Sequence, residues 1–95
     1  MPEIRFRLRW PDGRQQTFYS PSLVIKDYFE EGQAYLVDEF LIRSREALHV
    51  ASERVKAKYG FACSRAASAL ADIEASAAPF KHMELAHVAV EAFEI

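Results

Sequence analysis

The chain has 95 residues, 12 basic against 14 acidic side chains, and a composition that is 51% hydrophobic and 27% charged. This composition predicts one soluble globular domain, residues 1–95, and excludes disordered, collagen-like and low-complexity chains. The sequence lacks the surplus of basic residues that is typical of nucleic-acid binders, so we expect no nucleic-acid partner. It also lacks an apolar run long enough to span a bilayer, so we expect no membrane association. Cys63 is the only cysteine, which excludes an internal disulfide and fits a reducing, cytoplasmic compartment.

The first part of the chain predicts a β-hairpin. Residues 4–10 alternate strictly between apolar and basic side chains, the period-two pattern of a strand. Residues 11–13 (PDG) are turn formers, so we expect the chain to reverse there and to form a second strand near 15–19.

Three helices are predicted after the hairpin. A short one begins after the N-cap residue Ser20 and ends near Gly32. A longer one runs from Asp38, its expected N-cap, to Gly60, because its apolar residues fall on three- and four-residue steps. Its apolar stripe consists of Phe40, Ala47, Leu48, Ala51, Val55 and Tyr59. A third helix is expected over about 64–77, before Pro79.

The last segment, 85–95, predicts a third strand with a bulge near Ala92, where the apolar residues change parity. The order β-β-α-α-α-β indicates an α+β fold with a small antiparallel or mixed three-stranded sheet and about three helices on one face. We expect the first strand to lie at the centre of the sheet, with its apolar residues toward the helices and its arginines facing away. The direction of the third strand stays open.

Three segments together carry a resemblance to a known family: residues 9–13 (RWPDG), 19–22 (YSPS) and 58–64 (KYGFACS). At this spacing they resemble a family of short bacterial nitrogen-starvation response proteins. The resemblance implies an association with nitrogen limitation and with gene clusters that encode a nitrilase. It brings no catalytic residues, and it says least about the chain after Ala77.

Cys63 is the candidate nucleophile, because it precedes the expected third helix, where backbone N–H groups and the helix dipole can lower a thiol's pKa. Its small and apolar neighbours favour structural packing instead. His49, His82 and His87 lack the spacing of a helical metal pair, so we expect no metal site. A Cys–His dyad drawn from distant segments stays open. With no glycine-rich phosphate loop, we expect no cofactor.

Arg5, Arg7 and Arg9 are the candidate binding residues, because side chains two positions apart point the same way from a strand and could bind a phosphate or a carboxylate. The simpler interpretation is cross-strand ion pairing, for which Glu91 is a ready partner.

The leading hypothesis is therefore a non-catalytic accessory or regulatory protein of the nitrogen-starvation response that binds a protein partner, with a link to nitrile metabolism. One alternative is a small thiol-dependent enzyme or redox protein that uses Cys63. Another is a small-anion binder that uses Arg5, Arg7 and Arg9. The sequence leaves the partner and the oligomeric state open.

Overall fold

The computed structural model describes residues 3–61, 64–81, 83 and 85–94. Its elements, in chain order, are β1 (Ile4–Arg9), β2 (Gln15–Ser20), α1 (Ile25–Tyr28), β3 (Ala34–Leu36), α2 (Val37–Tyr59), α3 (Ser64–Ala77), a 3₁₀ helix (Ala78–Phe80) and β4 (His87–Glu94). The strands form one antiparallel sheet in the order β2-β1-β4-β3. The α+β class is confirmed, and β1 lies between two neighbours as predicted.

The sheet has four strands, and the expectation of three was wrong because it omitted β3. This strand has three residues, too few to show an alternating pattern. It exists because Tyr35 pairs with Val88 of β4, near the other end of the chain. A pairing between residues so far apart in the chain cannot be predicted from the local sequence. Because β4 is its one neighbour in the sheet, β3 is an edge strand.

The hairpin between β1 and β2 turns where the sequence predicts. Gly13 adopts a φ of 91°, which favours glycine, and its N–H donates to the Trp10 carbonyl at 2.9 Å. Asp12 accepts a hydrogen bond from the backbone N–H of Arg14 at 3.0 Å. This bond, together with the Arg14 guanidinium, lowers the pKa of the Asp12 carboxyl below its usual value.

Strand β4 runs antiparallel to β1, which settles the direction that the sequence left open. Its register shifts so that Arg7 lies opposite Ala92 and Leu8 lies opposite Val90. Glu91 is therefore an extra residue between two paired ones, and the bulge predicted near Ala92 is confirmed.

Helix α2 begins at Val37, so the predicted N-cap at Asp38 was wrong. The chain passes directly from β3 into the helix, and the Val37 N–H donates to the Ala86 carbonyl at 3.3 Å instead of to a capping side chain. Asp38 lies in the first turn, where a negative charge is favourable. The helix ends as predicted at Gly60, whose φ is 89° and whose N–H donates to the Lys56 carbonyl at 2.8 Å.

The core lies between the inner face of the sheet and the helices. The apolar side chains of β1 and the residue after it are at most 1% exposed: Ile4, Phe6, Leu8 and Trp10. Helix α2 buries its stripe from Phe40 to Ala51, but Val55 is half-buried and Tyr59 is 51% exposed. Its last two turns therefore extend beyond the core. Within the described ranges, no helix is both long and apolar enough to cross a bilayer.

Candidate functional site

The outer face of the sheet carries the three candidate arginines. Because Ile4, Phe6 and Leu8 are buried against the helices, the alternating residues of β1 point away from them. The side chains of Arg5 and Arg9 are exposed, whereas Arg7 is half-buried. The predicted orientation of this strand is confirmed.

Arg9 is neutralised within the sheet. Its Nε lies 3.2 Å from Oε2 of Glu91, the bulged residue of β4. The other oxygen of Glu91 accepts a hydrogen bond from Gln15 Nε2 at 2.7 Å. For Arg9, the cross-strand ion pair expected with Glu91 is confirmed.

Arg5 and Arg7 have no ion pair among the residues that the structure describes. Arg5 lies between Tyr19 and Glu94 in the register of the sheet, and Arg7 lies opposite Thr17. Arg7 Nε is buried, with no hydrogen-bond acceptor in the described part of the chain. The three arginines therefore differ: Arg9 is ion-paired with Glu91, whereas the positive charges of Arg5 and Arg7 can interact with a ligand.

A cavity of about 310 Å³ lies between β2 and residues 64–72 of α3. Its polar lining consists of Thr17, Tyr19, Ser64, Arg65, Ser68 and Asp72. The Arg65 guanidinium carbon lies 3.8 Å from the centroid of the Tyr19 ring, a cation–π contact. No local sequence pattern marks this cavity, because its residues come from two distant segments and only the packing of α3 beside β2 brings them together.

An apolar groove of about 600 Å³ lies where β3 passes into α2. Three large apolar side chains line it and stay exposed: Leu36 at 40%, Ile42 at 56% and Met83 at 53%. Its remaining lining residues are Val37, Asp38, Glu39 and Lys81. Leu85, two residues beyond Met83, is 85% exposed. We call the side chains of Leu36, Ile42 and Met83 the apolar groove residues.

The sequence contained one signal for this groove. Ile42 is apolar, but it lies off the predicted stripe of α2. An apolar residue on the polar side of an amphipathic helix is a candidate contact for something outside the core.

Cys63 and His82 lie outside the described residues, so the structure does not test the thiol site. His49 on α2 and His87 on β4 are both exposed. Among the residues that the structure describes, no group of three or more His, Cys, Asp and Glu side chains is placed to hold a metal ion.

Comparison with protein families gives one match. A family model described as nitrogen starvation-induced protein NitG matches residues 5–93, a range that contains all three resemblance segments. Comparison with curated proteins and with solved structures found no match. Because the model covers nearly the whole chain, the protein belongs to the NitG family of nitrogen starvation-induced proteins.

Proposed function

We propose that the protein is a non-catalytic accessory or regulatory component of the nitrogen-starvation response and acts by binding a protein partner at the apolar groove. The family match supports the physiological setting. The gene-cluster association implied by the resemblance supports a link to nitrile metabolism, and we place the protein in the bacterial cytoplasm.

The clustering of the apolar groove residues carries this proposal. Single exposed apolar side chains are ordinary on protein surfaces, but several that line one groove with a polar rim are typical of an interaction site. Methionine adapts its shape to a partner and is enriched in interfaces. Met83 is 53% exposed, so its side chain has apolar surface still to bury.

The rim of the groove indicates the partner's chemistry. Among the described residues that line the groove, Asp38 and Glu39 contribute two negative charges and Lys81 contributes one positive charge. A complementary partner presents an apolar side chain next to a basic one. Beside the groove, β3 is an edge strand, so a partner polypeptide can also approach its unpaired backbone groups.

Affinity capture from nitrogen-starved cells that express the protein tests this proposal, with Ile42→Glu as the test variant. Phe61→Glu is the matched control, because Phe61 is 70% exposed near the opposite end of α2. We expect the wild type and the control to retain the same partner and Ile42→Glu to lose it. With the partner then purified, Ile42→Glu should weaken binding at least tenfold.

Two results would contradict the proposal. The first is equal binding of the partner by Ile42→Glu and by the wild type. The second is a wild-type protein that captures only itself and forms dimers abolished by Ile42→Glu, because the groove would then be an interface between two copies of this chain.

The thiol alternative requires an activated Cys63 and is tested separately. We expect slow iodoacetamide alkylation of the folded protein relative to an unfolded control, because the sequence neighbours of Cys63 are small or apolar and no second cysteine can resolve an oxidised intermediate. Rapid labelling of the folded protein, with a midpoint well below the reference pKa of about 8.5, would favour the thiol enzyme instead.

A further inference from the structure

We propose that the cavity between β2 and α3 binds a small phosphomonoester, with its phosphate on Arg65 and its organic part toward Asp72. The site shares no lining residue with the apolar groove. The inference therefore goes beyond the proposed partner binding and stands or falls independently of it.

The Arg65 guanidinium is held in place by Tyr19, but its N–H donors are not all used by an ion-pair partner. The cation–π contact with the Tyr19 ring, at 3.8 Å from the guanidinium carbon to the ring centroid, restrains the Arg65 side chain without using its N–H donors as hydrogen-bond donors to an oxygen, so they can bind an oxyanion. Glu3 is its ion-pair partner among the described residues, at 3.8 Å, which is longer than a hydrogen bond. Both side chains are about half exposed or more, at 61% for Arg65 and 49% for Glu3, so a ligand can displace this weak pair.

The number of donors favours a phosphate over a carboxylate. The hydroxyl groups of Thr17, Ser64 and Ser68 line the same cavity and form no hydrogen bond within the described residues. Together with the guanidinium they offer more donors than the two oxygens of a carboxylate can use. Arg5 does not line the cavity, but as the cross-strand partner of Tyr19 it adds a positive charge on the sheet face that carries the Tyr19 side chain.

Asp72 indicates that the ligand is an ester and not a free phosphate. It lies seven residues after Arg65 on α3, so the two Cα atoms are about 10 Å apart along the helix. A carboxylate there repels a second anionic group but accepts a hydrogen bond from a hydroxyl or an amino group. The cavity, at about 310 Å³, also has room for more than a phosphate ion.

Isothermal titration calorimetry with ribose 5-phosphate, inorganic phosphate and ribose tests the site at low ionic strength. We expect ribose 5-phosphate to bind more tightly than inorganic phosphate, and ribose alone not to bind. Arg65→Gln should weaken the binding of ribose 5-phosphate about tenfold or more, because it removes a charge-assisted contact. Arg45→Gln is the matched control, since Arg45 on α2 is 48% exposed and pairs with Glu74 at 2.8 Å. This control variant should bind ribose 5-phosphate with the same affinity as the wild type.

Two further variants separate the parts of the proposal. Glu3→Gln should raise the affinity for inorganic phosphate about two- to threefold, because it removes the competing carboxylate of an exposed ion pair. Asp72→Ala should abolish the advantage of ribose 5-phosphate over inorganic phosphate. An advantage that survives Asp72→Ala would contradict the role of Asp72.

The site itself is overturned if no phosphate compound binds at millimolar concentration, or if Arg65→Gln binds as well as the wild type. Binding that is lost in Arg7→Gln but kept in Arg65→Gln would place the anion on the outer face of the sheet and would also overturn the proposal.

Discussion

The two faces of the sheet are built from alternate residues of the same strands, yet they serve different purposes. On β1, Phe6 and Leu8 on the inner face are completely buried, whereas Arg5 and Arg9 on the outer face are exposed. The inner face stabilises the fold through burial of apolar surface. On the outer face, Arg5 and Arg9 remain exposed to solvent after folding, so their charges can pair with other side chains or with a ligand.

Helix α2 shows the same division on its own surface. Leu48 is 2% exposed and belongs to the core, whereas Ile42 is 56% exposed and lines the apolar groove. Two aliphatic side chains of similar size on one helix therefore lie in opposite environments, and mutations can measure the difference in their contribution to stability.

The largest effect is expected at Leu48. Leu48→Ala should lower the free energy of unfolding by about 2 to 5 kcal/mol, because it removes buried methyl groups and leaves a cavity. Ile42→Ala, its matched control on the exposed side, should cost less than about 0.5 kcal/mol. Urea melts measure both values. A loss below about 0.5 kcal/mol for Leu48→Ala would show that α2 does not pack as the structure places it.

A smaller effect is expected on the outer face, at the ion pair of the bulge. Glu91→Gln should lower the free energy of unfolding by about 0.2 to 1 kcal/mol, since the Arg9–Glu91 pair is partly exposed. The difference from the wild type should shrink in 1 M NaCl, where the Debye length falls to about 3 Å. A loss that does not depend on salt would mean that Glu91 acts through the geometry of the bulge and not through its charge.

The smallest effect is expected at Arg7. Arg7→Gln should change the free energy of unfolding by less than about 0.5 kcal/mol, because Arg7 has no ion pair among the described residues and its buried Nε lacks an acceptor. Thermal melts and an amide NMR spectrum measure this variant. A loss above about 1 kcal/mol, or shifted amides throughout the inner face, would show that the outer face also supports the fold.

Much of the fold could be predicted from local patterns. The alternation of residues 4–10 predicted both faces of β1, and Gly13 and Gly60 marked a turn and a helix end that the structure confirms. The change of parity near Ala92 predicted the bulge. These features depend on residues close together in the chain, so the sequence carries them directly.

The features that could not be predicted depend on contacts between distant segments. Tyr35 becomes part of a strand only because Val88 lies beside it, and α2 begins at Val37 because Ala86 accepts the hydrogen bond of its N–H group. The cation–π contact between Arg65 and Tyr19 likewise requires α3 to lie beside β2. The cavity beside α3 and the apolar groove both depend on such contacts, so the sequence shows the arginines of β1 directly but marks the groove only through Ile42 and the cavity not at all.

Hydrogen–deuterium exchange on the captured complex tests partner binding at the apolar groove most directly. We predict that binding slows amide exchange in edge strand β3 and at Met83 and Leu85, whose own side chains are exposed in the free protein. Amides of β2, the edge strand on the opposite side of the sheet from β3, should exchange at the same rate with and without the partner. Protection confined to β2 and β1, with β3 unchanged, would contradict the proposal and would place the partner on the arginine face of the sheet.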